Sequence, residues 1–251
     1  MHFTKEQESQ GVTERFFALE VAGQTVPGVV WTPTGASGPR PLVLMGHGGS
    51  QHKRTDTLLA RARRYVRRLG YAVAAVDAPG HGDRVSAEEA AQRVQALQDR
   101  IANRQPINEA AAAQFAAQRS AQAVPEWTAV LDALQTVPEV GAGPVGYWGV
   151  SMGTAIGLPF VAGEPRIRAA VFGLNSASAD LVEAARRISI PVEFVLQSDD
   201  ELFSREAGLA LFDAFATTEK TLHLNPGGHL AIPPFEADSW QAFFSRHLVS
   251  A

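Results

Sequence analysis

Val145-Gly-Tyr-Trp-Gly-Val-Ser151-Met-Gly-Thr154 is the stretch whose reading decides the architecture. Its first half is a short uncharged apolar run, the pattern of a strand buried on both faces of a sheet. Its second half, Gly149-Val150-Ser151-Met152-Gly153, sets small residues two before and two after a serine, and a helical pattern starts at Met152. A strand that becomes a helix within one residue needs a sharp turn, and the flanking glycines let it close without side-chain collision. Such a turn presents the Ser151 hydroxyl above the sheet edge, near the positive end of the following helix. Ser151 is therefore a candidate nucleophile. The overlapping Gly141-Ala-Gly143-Pro-Val-Gly146 matches the letters of a dinucleotide-binding loop. Its glycines precede a strand instead of opening a helix, so it is a loop feeding that strand. No G-x-x-x-x-G-K-[ST] or H-E-x-x-H segment is present.

Working outward, the same strand-then-helix unit repeats. Upstream, Pro41–Gly46 and Tyr71–Asp77 are apolar runs, separated by a helix pattern from Asp56 to Leu69 that ends at Gly70. Further upstream, Arg15–Ala22 and Val26–Thr32 read as two strands joined by a turn, after a polar start. Downstream, strands near Ala169–Gly173, Pro191–Gln197 and Lys220–Leu224 alternate with helices around Ala179–Arg187, Ser204–Ala216 and Phe235–His247. This alternation predicts an α/β fold: an open, mainly parallel central sheet flanked by helices. Residues 84–124 interrupt it with an Ala, Gln, Arg and Glu-rich segment lacking strand signals, with breaks expected at Pro106 and Pro125. We expect a single domain over residues 1–251, with 84–124 as a helical cap-like insertion and a separate sheet-packing helix near Pro125–Val137.

Composition narrows the chemistry. The chain has no cysteine, which removes thiolate nucleophiles, zinc–thiolate sites, iron–sulfur clusters and redox dithiols. A net charge of −4 gives no overall pull toward nucleic acid or anionic lipid. The polar start lacks the apolar core of a signal peptide, and no uncharged apolar run approaches the roughly 18 residues of a membrane span. A cytoplasmic protein acting on a small molecule is expected, with neither nucleic-acid nor membrane partners.

A serine hydroxyl needs a base and a group that orients the base. His229, in Pro226-Gly-Gly-His229, directly follows the last expected strand and so lies at the same sheet edge as Ser151. Asp199, Asp200 and Glu201 follow the preceding strand, and position alone leaves all three open as the orienting acid.

With these pieces assembled, the chain resembles the α/β-hydrolase superfamily over nearly its whole length, in the order nucleophile, acid, base. The family's acid loop commonly reads Gly-x-x-Asp-x-x-Val. Gln197-Ser-Asp-Asp200-Glu-Leu-Phe203 aligns with it if Gln197 and Phe203 replace Gly and Val, which implies Asp200, with Asp199 as its rival. His47-Gly48-Gly49 resembles the family's oxyanion loop, implying Gly49 and Met152 as N–H donors to the developing oxyanion. His47 then braces the loop. Asp77-Ala-Pro-Gly-His-Gly-Asp83 resembles the family's D-x-x-G-x-G turn, a structural element. The basic loop Ser50–Arg54 is either a solvated helix entry or an attractor of an anionic substrate. His47, His52 and His81 have no metal-ligand spacing, so no metal is expected, and the chemistry requires no cofactor.

The resemblance implies a serine hydrolase, foremost a carboxylic-ester hydrolase of small soluble esters working through an acyl-enzyme. A peptidase, thioesterase or C–C-bond hydrolase would use the same residues, and a non-catalytic binding protein could keep the same fold. Cysteine-dependent dienelactone hydrolases are excluded by the missing cysteine, although small serine hydrolases of that shape remain similar. Dehalogenases and epoxide hydrolases of the superfamily are disfavoured by a serine where they place aspartate.

Overall fold

The computed structural model describes residues 1–249, the side chains of residues 109 and 112 excepted. Nine strands form one sheet: β1 (His2–Ser9), β2 (Val12–Val21), β3 (Gln24–Pro33), β4 (Leu42–Gly46), β5 (Ala72–Val76), β6 (Val145–Gly149), β7 (Ile167–Gly173), β8 (Val192–Gln197) and β9 (Lys220–Asn225). The helices are α1 (Asp56–Leu69), α2 (Ala87–Ala102), α3 (Glu109–Gln135), α4 (Met152–Gly163), α5 (Ala179–Arg186), α6 (Arg205–Ala214) and α7 (Glu236–His247). The strand order is β1-β2-β3-β5-β4-β6-β7-β8-β9. From β5 to β9 every neighbouring pair is parallel, while β1, β2 and β3 add an antiparallel edge.

The five-residue strands β4, β5 and β6 are buried at every position, which is why they read as unbroken apolar runs. Helices cover both faces. Leu58 and Tyr65 of α1 join Trp240 and Phe244 of α7 in one buried cluster. Trp127, Leu131 and Leu134 of α3 join Phe160 of α4, Leu181 of α5 and Leu211 of α6 in the other.

One strand carries no sequence signal, and one expectation fails. The polar start is a strand: β1 pairs with β2 along its length, and its side chains are half-buried or exposed, so no apolar alternation marks it. Pro125 does not end a helix, because α3 runs through it. Proline there removes one i→i−4 hydrogen bond. Beyond it, Trp127, Val130, Leu131 and Leu134 are all buried, and Trp127 stacks on Phe160 with ring centroids 6.0 Å apart. Burial of each such side chain contributes roughly 1.5–3 kcal/mol, enough to hold the helix across the proline. The later part of residues 84–124 and the sheet-packing helix are thus one continuous helix, α3, while α2 stands apart.

The order of the parallel strands reverses about β4, which lies between β5 and β6. In open α/β sheets, ligands bind at such a switch point, beyond the strands' carboxyl ends. Gly46 at the end of β4 is in register with Gly149 at the end of β6, so the loops leaving both strands emerge side by side.

Candidate active site

Ser151 sits between β6 and α4 with φ 56° and ψ −121°. A non-glycine residue there costs on the order of 1–3 kcal/mol and persists only where its surroundings over-determine it. Here they do. The Ser151 N–H donates to the Gly173 carbonyl at 2.9 Å, and Asn175 Nδ2 donates to the Ser151 carbonyl at 2.8 Å. The buried Thr154 hydroxyl accepts from the Gly173 N–H at 2.9 Å and lies 2.9 Å from the Gly149 carbonyl oxygen. The turn also packs against the end of β4: a Cβ on Gly153 would stand 2.6 Å from the Gly46 carbonyl oxygen, so only glycine fits. Asn175 and Thr154 drew no notice in the sequence, because their contacts form only once β7 lies beside β6.

The loops after β8 and β9 bring an imidazole and a carboxylate to this hydroxyl. His229 Nε2 is 3.0 Å from Ser151 Oγ, and its Nδ1 is 2.8 Å from Asp200 Oδ2. Asp200 Oδ1 accepts from the Leu202 and Phe203 N–H groups at 2.8 and 3.1 Å. A carboxylate oxygen opposite Nδ1 calls for the imidazole proton on that nitrogen, which leaves Nε2 as the acceptor facing the serine hydroxyl. Both side chains are 95% or more buried, at 4% and 5% exposure, so this hydrogen-bonded chain is largely screened from water. Asp199 faces away: its carboxylate is exposed and accepts from the Ser198 hydroxyl and the Gly227 N–H, which hold it below the usual carboxylate range. Glu201 plays a different part, accepting the His229 backbone N–H at 2.9 Å and so fixing the loop.

On the β4 side, the buried His47 accepts the Ala78 N–H on Nε2 at 3.0 Å, and its Nδ1 lies 2.8 Å from the Gly48 carbonyl. Burial holds this imidazole near pKa 4, so it is a neutral brace between two loops. Gly48 N–H donates to Gln51 Oε1. Among the described residues, the Gly49 and Met152 N–H groups have no acceptor within the protein. Met152 is the first residue of α4, where the N–H has no intrahelical partner.

The loop of Ser50–Arg54 does lead into α1, with His52 exposed, but its Lys53 and Arg54 are paired within the protein. Lys53 is buried, and its Nζ lies 2.6 Å from both Asp77 Oδ2 and Asp83 Oδ2. Asp77, fully buried, also accepts from the Lys53 and Asp83 N–H groups. Arg54 is paired with Glu14. Lys53 thus ties the β4 and β5 loops together, and Arg54 ties the β4 loop to β2.

A cavity of about 1830 Å³ opens over Ser151 and His229, walled by α1, α2, α3 and the loop before α7. Arginines line it from three helices, among them Arg61 and three others of α1, Arg93 and Arg100 of α2 and Arg119 of α3, and no acid lines it among the described residues. The Arg61 guanidinium packs 3.8 Å from the Trp148 ring centroid and 4.7 Å from that of Trp240. Its Nε is buried without a hydrogen-bond partner, and burial lowers its pKa to about 10. Burial, then the neighbouring Arg93 charge, lowers the pKa of Arg119 as well. The α1 arginines had shown only a helical period, which does not tell a solvated face from a cavity wall.

Comparison with known proteins gives a consistent picture. The family model for the dienelactone hydrolase family matches residues 26–226. The comparison with curated proteins gives no match. Among solved structures, the PEG-bound complex of a cold-adapted esterase from an Arctic intertidal metagenomic library is similar at 36% sequence identity and a TM-score of 0.82, covering 99% of this chain and 100% of that one. Dienelactone hydrolase from Anabaena variabilis shares the fold at 18% identity and a TM-score of 0.67, over 96% of this chain and 100% of that one. Acetyl xylan esterase 1 from Thermoanaerobacterium shares it at 16% identity and a TM-score of 0.68, over 98% and 87%.

Proposed function

The chain belongs to the dienelactone hydrolase family, and on that footing we propose that it is a serine carboxylic-ester hydrolase acting on small soluble esters through an acyl-enzyme. The observation that carries this reading is the unbroken path from Ser151 Oγ to His229 Nε2, at 3.0 Å, and from His229 Nδ1 to Asp200 Oδ2, at 2.8 Å. As Oγ attacks the ester carbonyl, His229 takes its proton and Asp200 stabilises the resulting imidazolium. The carbonyl oxygen becomes an oxyanion, received by the Gly49 and Met152 N–H groups. Each such donor is worth about 3–4 kcal/mol in the transition state. His229 then protonates the leaving alkoxide, and water, activated by the same imidazole, releases the acid and restores Ser151.

Residues 84–124 act as a cap: α2 and the first half of α3 close the cavity on the side away from the sheet. The arginines of that cavity favour esters whose non-reacting part carries a negative charge, with Arg61 held ready between Trp148 and Trp240.

A fluorophosphonate probe tests the nucleophile directly. Labelling of the protein, abolished in Ser151→Ala, is the expected result; an unlabelled but folded wild-type protein would refute the reading. Chromogenic esters of matched size, with and without a carboxylate on the acyl chain, test the charge preference. The anionic ester should lose that advantage in Arg61→Met.

A further inference from the structure

Behind the loop that carries His229, on the α7 side of the sheet edge, three side chains with metal-ligating atoms converge. Glu193 comes from β8, His223 from β9, and Glu236 is the first residue of α7; one ligand atom from each lies within 4.8 Å of the others. His223 Nδ1 is 2.8 Å from Glu236 Oε2 and 3.8 Å from Glu193 Oε1. Both glutamates are almost fully buried, at 3% and 1% exposure. Asn225 Nδ2 donates to Glu236 Oε1 at 2.7 Å, which fixes that carboxylate. Glu193 Oε1 is different. It is buried, it points at the imidazole, and it has no hydrogen-bond partner, the Ser239 hydroxyl being the donor nearest this carboxylate. An unmet carboxylate oxygen in such a place is costly, and nothing in the chemistry of Ser151 uses it.

We propose that Glu193, His223 and Glu236 form a divalent-cation site that fastens both ends of the His229 loop. A cation would meet the orphaned oxygen and offset two carboxylates that burial crowds together. The donor set is two oxygens and one imidazole nitrogen, which suits Zn²⁺ with water as the fourth ligand. Around a tetrahedral ion with bonds of about 2.1 Å, ligand atoms stand roughly 3.4 Å apart. The separations of 2.8 and 3.8 Å lie on either side of that value, so small rotations of the side chains suffice. His223, whose side chain is 26% exposed, gives the ion its way in from solvent.

The position gives the site its consequence. Residues 226–235 leave β9 two residues after His223 and return to the fold at Glu236, and His229 lies between those ligands in sequence. Glu193 stands on β8, the strand that leads to Asp200. One ion would thus hold the strand before the acid loop and both ends of the histidine loop.

The test is metal binding by the full chain, independent of any activity. Protein dialysed against a chelator is titrated with Zn²⁺ by calorimetry and with Co²⁺ by visible absorption, and its Tm is measured with and without each ion. One equivalent should bind, with a Tm increase and the absorption of a four-coordinate cobalt site. Glu193→Gln and His223→Gln should each weaken binding by more than the roughly 10–100-fold that loss of an outer partner costs. Glu193→Gln preserves shape and is checked for folding by circular dichroism. Absence of binding by the wild type overturns the proposal. Undiminished binding by folded variants, or an equal response to Mg²⁺, overturns it as well.

Discussion

Replacing Asp200 by asparagine changes one atom and should nearly abolish turnover. Oδ1 of Asp200 accepts two backbone N–H groups, from Leu202 and Phe203. An asparagine keeps those bonds only with its amide oxygen there, which places the NH₂ group where Oδ2 now faces His229 Nδ1 at 2.8 Å. A donor opposite Nδ1 forces that nitrogen to accept, so the imidazole proton moves to Nε2. Nε2 then donates to Ser151 Oγ instead of taking its proton. In the best-characterised enzyme with this arrangement, the same exchange lowers kcat by about 10⁴-fold, which corresponds to about 5 kcal/mol of barrier. We expect a 10³–10⁴-fold fall in kcat for a short-chain p-nitrophenyl ester near pH 7.5, with the urea unfolding midpoint nearly unchanged because the turn at Leu202 and Phe203 survives. Asp199→Asn should stay within a few-fold of wild type, since its carboxylate caps the exposed turn at Gly227. Retention of a tenth or more of the activity by Asp200→Asn, or an equal loss in Asp199→Asn, would refute this reasoning.

Three further outcomes follow from the same geometry. Lys53→Met leaves Asp77, wholly buried, without its counter-charge, and should destabilise the fold by about 3–5 kcal/mol, read from denaturant unfolding. Gly153→Ala places a methyl 2.6 Å from the Gly46 carbonyl oxygen, separating the elbow from the β4 loop. It should cost roughly 1–3 kcal/mol of stability and lower kcat further than KM rises, because the Gly49 and Met152 N–H groups proposed to receive the oxyanion sit on the two pieces pushed apart. His47 is neutral and buried, with its pKa brought from 6.5 to about 4. The unfolded chain therefore binds a proton below pH 6.5 that the native state refuses. Stability is intact above pH 6.5 and falls as pH drops through 6.5 toward 4, by up to about 3 kcal/mol from this group. Unfolding free energies at pH 7.5 and 5 should show the loss, and a folded His47→Gln variant should show less of it.

The readable part of this protein is the part whose environment is uniform along the chain. β4, β5 and β6 are buried at every residue, so their apolar runs mark them at once, and the Ser151 turn follows from small residues at a strand-to-helix junction. His229 and the acidic loop were placed by the strands before them. What stayed hidden depends on partners distant in sequence. β1 is polar because one edge of the sheet faces solvent, and only its pairing with β2 makes it a strand. Pro125 signals a helix end locally, yet the burial of Trp127 and Leu131 outweighs one missing hydrogen bond. Lys53 looks like a loop charge because Asp77 lies twenty-four residues on and a strand away. The choice between Asp199 and Asp200 as partner of His229 turns on which carboxylate faces inward, a matter of loop geometry that neighbouring letters do not encode.

The left-handed backbone at Ser151 also sets stability against function. Alanine at this position removes the hydroxyl but inherits the same φ of 56°, so Ser151→Ala should unfold much as the wild type does. Glycine alone is at ease there, and Ser151→Gly should be more stable by about 1 kcal/mol while being inert. The residue that defines the site is thus one that selection for stability alone would have removed. Searches that rank substitutions by thermal tolerance will be drawn to position 151, and a rise in Tm there will register the loss of activity as an improvement.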